Sequence, residues 1–146
     1  MPELPEVETV KKGLEKLLND FYIKKIEVLK ERTIASCGGS REFISNIENS
    51  YLGNWERRGK YLIGSLNSIN KNNKGFLVVH LRMTGQFELI DNQTIPCPHT
   101  RVRFFEQSGK ELRFIDIRNF GQMWYVPLQS SIPEIVSGIK RLGPEP

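Results

Sequence analysis

The sequence has few of the features that mark secreted, membrane-bound or disulfide-stabilised proteins. Only two of its 146 residues are cysteine, and Cys37 and Cys97 are far apart with no CxxC pattern. A metal site built from this chain alone is therefore not expected. A structural disulfide is not expected either, because the cytosol is reducing. We expect two buried or half-buried thiols.

Long apolar runs and a signal peptide are also missing. No apolar run approaches the roughly 20 residues of a membrane-spanning helix. Glu3, Glu6 and Glu8 occupy the stretch where a signal peptide has basic and apolar residues. We therefore expect a cytoplasmic protein that does not bind membranes, with a length that suits one domain with a real core. The net charge of +4 favours a nucleic-acid partner only weakly.

The start of the chain combines a terminal imino acid with carboxylates. Once Met1 is removed, which the small second residue favours, Pro2 presents a free secondary amine. A terminal α-amino group has a pKa of about 7.7–8.0, against about 10.4 for lysine, so far more of it can attack carbon near neutral pH. Glu3 and Glu6 lie close enough in sequence to transfer protons in Schiff-base chemistry. The alternative is an ordinary helix N-terminus, where prolines and acids are common.

Three internal segments and one histidine are further candidates. Cations that neutralise phosphates lie in WERRGKY at 55–61, which includes Lys60. HLRMTG at 80–85 follows an apolar strand, and DIRNFG at 116–121 places an arginine near a phenylalanine that could wedge between bases. His99 begins a basic strand. Each segment, taken singly, also has an ordinary structural explanation. Residues 55–61 could be a solvated basic turn, and 80–85 could hold a core methionine and a hydrogen-bonded histidine. Residues 116–121 could hold a loop salt bridge and a core phenylalanine.

The order of hydrophobic periodicities predicts the fold class. Helical spacing of apolar residues predicts a helix over Pro5–Leu18, and Ser40 is expected to cap a short helix that runs to Asn49. A last short helix is expected from Pro133 to about Arg141. Strands are predicted at Ile23–Leu29, Tyr61–Leu66, Phe76–Leu81, Gln86–Ile90, Arg101–Glu106, Glu111–Ile115 and Gln122–Val126.

We therefore predict an α+β domain over residues 1–140. Its core is a two-layer β-sandwich of about eight mostly antiparallel strands, with a long N-terminal helix and one or two further short helices. A turn is expected at Gln107–Lys110 and a loop at Asn67–Lys74. Residues 141–146, RLGPEP, resemble the start of an interdomain linker, because two prolines and a glycine cannot continue a helix.

Taken together, five ordered motifs resemble the bacterial formamidopyrimidine-DNA glycosylases, also called 8-oxoguanine DNA glycosylases. They are MPELPEVETV at 1–10, RRGKYL at 57–62, HLRMTG at 80–85, DIRNFG at 116–121 and LGPEP at 142–146. The resemblance covers essentially the whole chain but only the N-terminal domain of that family. It implies a base-excision repair glycosylase and abasic-site lyase that acts on oxidised purines opposite cytosine in double-stranded DNA.

The resemblance also implies roles for individual residues. Pro2 would form the Schiff base, Glu3 would act as general acid, Glu6 would support them, and Lys60 would donate a proton in β-elimination. The DNA-binding residues would be His80 and His99 on the backbone, and Met83, Arg118 and Phe120 in the gap left by the everted nucleotide. The start PELPE and this trio favour the purine branch over the endonuclease VIII-like enzymes, which remove oxidised pyrimidines. A non-catalytic DNA-binding module of the same fold is the remaining alternative.

Full-length members of the family have parts that this chain does not supply. These are a helix–two-turn–helix motif and usually a C-terminal zinc finger that binds one zinc ion, whereas no cofactor is implied for this chain. We therefore expect a monomer of the bacterial cytoplasm that works at the nucleoid. The isolated 146 residues are expected to bind DNA very weakly and to have little or no activity.

Overall fold

A computed structural model describes residues 4–17, 20–91 and 94–140 of the chain. It contains four helices and nine strands in these ranges, besides a single turn of 3₁₀ helix at Glu31–Thr33. The helices are α1 (Leu4–Leu17), α2 (Gly39–Ile47), α3 (Ile132–Ile135) and α4 (Ser137–Lys140). The strands are β1 (Phe21–Ile23), β2 (Lys25–Val28), β3 (Ser50–Arg58), β4 (Tyr61–Asn67), β5 (Asn73–His80), β6 (Gly85–Ile90), β7 (Thr100–Phe105), β8 (Glu111–Asp116) and β9 (Gln122–Pro127).

The strands form two antiparallel sheets. The first has the order β1-β3-β4-β5-β9 and the second has the order β2-β7-β8-β6. The chain changes sheets four times, between β1 and β2, β2 and β3, β5 and β6, and β8 and β9. The predicted α+β class and two-layer sandwich are confirmed, with nine strands where about eight were expected.

Side-chain alternation along the strands builds the core between the sheets. In β7 the residues Thr100, Val102 and Phe104 are buried, while the residues between them are only partly buried. Helix α1 adds Val7 and Leu14 to the same core. A second, smaller hydrophobic cluster lies where Val136 and Ile139 pack on buried hydrophobic side chains of β4, β5 and β9. Each fully buried aliphatic or aromatic side chain stabilises the fold by about 1.5–3 kcal/mol relative to exposure.

Several element predictions need correction. The single strand expected at Ile23–Leu29 is two strands, because β1 pairs with β3 in one sheet whereas β2 pairs with β7 in the other. Strand β3 was not predicted, and its register shifts between Gly53 and Glu56, which disturbs the alternation on which prediction depends. The last helix is divided into α3 and α4 at Val136.

Ser40 does not cap α2. Gly38 is the N-cap residue, with a φ of 87° that suits glycine, and Ser40 lies inside the helix. The free amide at this end is satisfied by Glu31, whose Oε2 accepts a hydrogen bond from Ser40 N at 2.8 Å and whose Oε1 accepts one from the Ser40 hydroxyl at 2.5 Å. A long-range carboxylate therefore supplies the cap, and local sequence rules do not detect it.

The expectation of buried or half-buried thiols is wrong. Cys37 and Cys97 are both free and exposed. Cys37 lies in the turn before α2, and Cys97 lies between two prolines in the segment that leads to β7, so neither belongs to an element with a buried face. In the described part of the chain, no helix has both the length and the apolar character needed to cross a bilayer.

Candidate functional site

Strand register places most of the candidate residues at one end of the sandwich, which we call the loop end. In the first sheet Tyr61 pairs with His80, and His80 pairs with Gln122. In the second sheet Gly85 pairs with Asp116. The β5–β6 and β8–β9 connections, which we call the two crossings, both lie at this end and carry HLRMTG and DIRNFG side by side. The turn with Lys60, which precedes Tyr61, lies there too.

His80 occupies a buried position beside the Lys60 turn. Its ring stacks on Tyr61 with centroids 4.3 Å apart and an interplanar angle of 16°. Burial, followed by the positive charges of Arg82 and Lys60, lowers the His80 pKa to about 4. Its imidazole is therefore neutral at pH 7 and carries one N–H donor.

The His80 ring is not a fully hydrogen-bonded core histidine. Its buried Nδ1 has no hydrogen-bond partner among the described residues. Most buried polar atoms are paired, so the alternative of an ordinary hydrogen-bonded histidine does not describe this ring.

Helix α1 is tied to the turn that carries Lys60. Arg57 Nε donates to Glu8 Oε1 at 2.9 Å, and Arg57 Nη1 donates to the Gly59 carbonyl at 3.1 Å. The hydrogen bonds from Arg57 and then Lys11 lower the Glu8 pKa. One arginine thus links the first half of the helix to the turn between β3 and β4.

The proposed nucleophile lies next to this anchored helix in sequence. Pro2 and Glu3 fall outside the described residues, and for Glu6 the structure describes the backbone in α1 but not the side chain. The roles of these three residues stay predictions. The Glu8–Arg57 pair, which sequence reasoning missed, brings the helix that follows them to the Lys60 turn.

Met83, Arg118 and Phe120 form an exposed group at the loop end. Met83 is 47% exposed and Phe120 is 42% exposed, so neither is a core residue. Arg118 Nη1 approaches Met83 Sδ at 3.6 Å, which joins the two crossings through their side chains. Large apolar side chains held outward beside a cation can enter a stack of bases. The alternatives of a core methionine and a core phenylalanine are therefore wrong.

A buried carboxylate holds the two crossings together. Asp116 is only 1% exposed. Its Oδ1 accepts a hydrogen bond from the Thr84 hydroxyl at 2.5 Å, and its Oδ2 accepts one from Gly121 N at 2.7 Å. Thr84 Oγ1 in turn accepts a hydrogen bond from Arg118 N at 3.1 Å. Thr84 belongs to HLRMTG and Asp116 to DIRNFG, but nothing in the sequence shows that the two residues contact each other.

His99 is exposed and is positioned by the same carboxylate-bearing residue. Asp116 N donates to the His99 carbonyl at 3.0 Å. Arg101 Nε donates to the Asp116 carbonyl at 2.9 Å and Arg101 Nη1 to the Pro98 carbonyl at 3.5 Å, which fixes the segment on both sides. The structure thus brings Lys60, His80, Met83, His99, Arg118 and Phe120 to one end of the molecule. Their roles stay predictions.

Metal-binding side chains do not gather among the described residues. No group of three or more histidine, cysteine, aspartate or glutamate side chains in 4–17, 20–91 and 94–140 is placed to hold an ion.

Comparisons with known proteins agree with this geometry. A family model described as the formamidopyrimidine-DNA glycosylase N-terminal domain matches residues 1–123. A formamidopyrimidine-DNA glycosylase of Prochlorococcus marinus strain NATL1A is 77% identical over 146 residues, which cover 100% of this chain and 52% of the relative. The corresponding protein of strain MIT 9211 is 59% identical over 150 residues, with the same shares. The chain thus spans about half the length of the curated relatives it matches.

Solved structures show the same fold. A complex between the Lactococcus lactis Fpg and DNA containing an abasic site has a TM-score of 0.81 and 27% identity, over 93% of this chain and 48% of that one. A complex of MutM with DNA containing carbocyclic 8-oxoG has the same TM-score and coverage at 28% identity. A third, again with a TM-score of 0.81, 28% identity and the same coverage, holds the Lactococcus lactis Fpg and DNA with an oxidised pyrimidine.

Proposed function

Because this chain belongs to the formamidopyrimidine-DNA glycosylase family and matches its N-terminal domain, we propose that it is the catalytic part of a DNA repair enzyme. The enzyme would remove oxidised purines, such as 8-oxoguanine and formamidopyrimidines, from double-stranded DNA and then cut the strand at the abasic site. The observation that carries this proposal is the convergence of the Lys60 turn, His80 and the trio of Met83, Arg118 and Phe120 at one end of the sandwich.

The chemistry begins at the free amine of Pro2. Its nitrogen attacks C1′ of the damaged nucleoside, and a new C–N bond forms as the bond to the oxidised base breaks. The base leaves with the bonding electron pair and takes up the proton that the Pro2 nitrogen loses. Glu3 protonates the sugar ring oxygen, so the ring opens and an iminium remains on Pro2. Glu6 supports the amine. Lys60 donates a proton during β-elimination, and a following δ-elimination completes the strand cut.

Access to C1′ requires that the damaged nucleotide leave the helix. An enzyme that acts on a base extrudes it at a cost of a few kcal/mol, and filling the gap offsets part of that cost. Met83 and Phe120 supply exposed apolar surface for this purpose, and their exposure of 47% and 42% is otherwise unfavourable in water. Arg118, held against Met83 Sδ, would hydrogen-bond the cytosine left without a partner.

The backbone contacts come from the histidines and Lys60. His80 stays neutral at physiological pH because its pKa is lowered to about 4, so it would offer a hydrogen bond and not a charge. His99 would contact the backbone from the second sheet. The relatives are about twice as long as this chain. We therefore expect the 146 residues alone to bind DNA weakly and to show little or no activity, and the active protein to be a monomer.

Borohydride trapping with the complete gene product tests the proposal. The wild-type protein should become covalently joined to DNA containing 8-oxoguanine opposite cytosine when the iminium is reduced. Pro2→Gly and Glu3→Gln should change the yield, whereas Lys110→Gln, a change in an exposed hairpin turn, should not. Absence of an adduct with the wild-type protein would overturn the enzyme proposal and leave a non-catalytic DNA-binding module.

Oxidised pyrimidines are a second candidate substrate. One structural neighbour was solved with DNA that contains an oxidised pyrimidine. Parallel trapping on duplexes with 8-oxoguanine and with thymine glycol separates the two. A faster reaction on thymine glycol would place the enzyme with the endonuclease VIII-like class.

A further inference from the structure

Arg32 and Arg82, which line a groove beside Phe120, have no role in the function proposed above. The groove has a volume of about 520 Å³ and is lined by Arg32, Arg82, Met83, Asn119, Phe120 and Gln122. We call it the arginine groove. Its lining contains two cations, two amides and two apolar side chains, and no acidic residue. A groove of this composition suits an anion that lies next to an apolar surface.

The Arg32 guanidinium lies over the exposed ring of Phe120. The guanidinium carbon is 6.0 Å from the Phe120 ring centroid, within the range of a cation–π contact. The 3₁₀ turn that carries Arg32 is fixed to the first sheet, since Ile34 bridges to Met123 and Ala35 N donates to the Met123 carbonyl at 2.8 Å. The cation is thus held near Phe120 by the backbone around it.

The nearest acid in sequence does not neutralise Arg32. The Glu31 carboxylate is bound to the Ser40 amide and hydroxyl, and these hydrogen bonds lower its pKa. In the described part of the chain, no ion pair joins Arg32 or Arg82 to a carboxylate. The charge of the arginine groove is therefore not balanced by a carboxylate ion pair.

Arg82 is positioned from the other side of the groove. Its backbone has a φ of 59°, and its Nη2 donates to Gln122 Oε1 at 2.9 Å. Its Nε is buried and has no hydrogen-bond partner in the parts of the chain that the structure describes. The Nη1 and Nη2 groups at the tip of Arg82 carry further N–H donors, which can donate to an anionic oxygen.

We propose that the arginine groove binds a backbone phosphate of the DNA strand next to the point where Phe120 enters the duplex. This inference rests on the proposed function, because it needs Phe120 to insert between bases. Arg32 and Arg82 neutralise the phosphate, and the contact fixes the register of the duplex against the trio. Phosphate contacts carry no sequence information, so the arginine groove adds affinity and position but not lesion preference.

The salt dependence of DNA binding tests the inference. Affinity of the complete gene product for duplexes with a tetrahydrofuran abasic analogue is measured between about 50 and 200 mM salt. The double variant Arg32→Gln/Arg82→Gln should lower the magnitude of the slope of log K against log salt by about 0.9, the value for one phosphate contact. Each single replacement should lower it by part of that amount. The loss of affinity should be the same on duplexes of different sequence.

Two matched variants separate charge from structure. Arg32→Lys keeps the charge and should keep the wild-type slope. Lys110→Gln removes one charge at the opposite end of the six-residue β8, roughly 20 Å from the trio, and should leave the slope unchanged. Arg32 is exposed, so its replacement should not unfold the protein.

The outcomes distinguish this inference from the proposed function. If the wild-type protein forms the borohydride adduct but the double variant Arg32→Gln/Arg82→Gln keeps the wild-type slope, the phosphate site is wrong and the enzyme proposal stands. An affinity loss that depends on base sequence at constant slope also overturns it, because that pattern indicates contact with base edges. If the wild-type protein forms no adduct and does not bind the duplex, both proposals fail.

Discussion

Replacing Thr84 by valine should weaken the link between the two crossings at the loop end. Valine keeps the shape of threonine but removes the hydroxyl that donates to Asp116 Oδ1 at 2.5 Å and accepts from Arg118 N at 3.1 Å. Hydrogen bonds to charged groups contribute about 1.5–3 kcal/mol, and Asp116 is almost fully buried, so water cannot replace the lost donor easily. The Arg118 amide is exposed and can bind water, so its loss adds little.

We therefore expect Thr84→Val to lower the free energy of unfolding by about 2 kcal/mol. For a domain of this size that corresponds to a fall in Tm of about 6 °C. Thermal and urea unfolding followed by circular dichroism measure the change. Thr84→Ser is the matched control, because it keeps the hydroxyl and loses only a methyl group. Equal stability of the valine and serine variants would show that the Thr84–Asp116 contact does not hold the crossings together.

Three further predictions concern pH, backbone space and thiol exposure. The His80 pKa is lowered to about 4 from 6.5. As the pH falls below 6.5, His80 is therefore protonated in the unfolded chain but stays neutral in the folded chain until the pH approaches 4. Between pH 7 and pH 5 the free energy of unfolding of the wild type should thus fall by up to about 2 kcal/mol more than that of His80→Gln. Urea unfolding at both pH values measures the two changes. An equal fall in both proteins would contradict the lowered pKa of His80. Gly85→Ala should destabilise by about 1–3 kcal/mol, because its Cβ would lie 2.5 Å from a backbone carbonyl oxygen. A Cβ at Gly13 in α1 would meet nothing within 4 Å, so Gly13→Ala should stabilise the fold by about 0.5–1 kcal/mol. A Gly85→Ala variant that melts at a higher temperature than Gly13→Ala would contradict the close packing at Gly85. Both Cys37 and Cys97 should react with a thiol reagent in the folded state, with two equivalents consumed before denaturant is added, since both are exposed; protection of either would place it in the core.

Strands β8 and β9 were predictable from the sequence, because each is a short run rich in apolar and β-favouring residues between turn signals. The expected strand at Glu111–Ile115 differs from β8 by one residue, and that at Gln122–Val126 differs from β9 by one. Prediction failed for β3 and for the segment of β1 and β2. Strand β3 contains a register shift at Gly53, and the segment that holds β1 and β2 pairs with two different sheets. Local periodicity does not report which sheet a strand joins.

The candidate site residues were also predictable in part: their motifs were recognisable, but several contacts that hold them were not. The motifs around Lys60, His80, Met83, Arg118 and Phe120 were recognisable from their order along the chain, and the antiparallel register then placed them at one end. The cap of α2 by Glu31 and the tie between Glu8 and Arg57 were not predictable, because each joins residues separated by elements whose packing the sequence does not specify.

The sequence by itself determined the family motifs, the alternation that makes two half-buried sheets, and the basic and apolar residues that stand in the crossings. These follow from neighbouring residues alone, since propensity and periodicity act over a few positions. Only the tertiary structure decided that the crossings are joined through Asp116, that His80 is buried and neutral, and that Arg32 lies over Phe120. Those features depend on which elements pack together, because burial and long-range hydrogen bonds exist only once the two sheets have met.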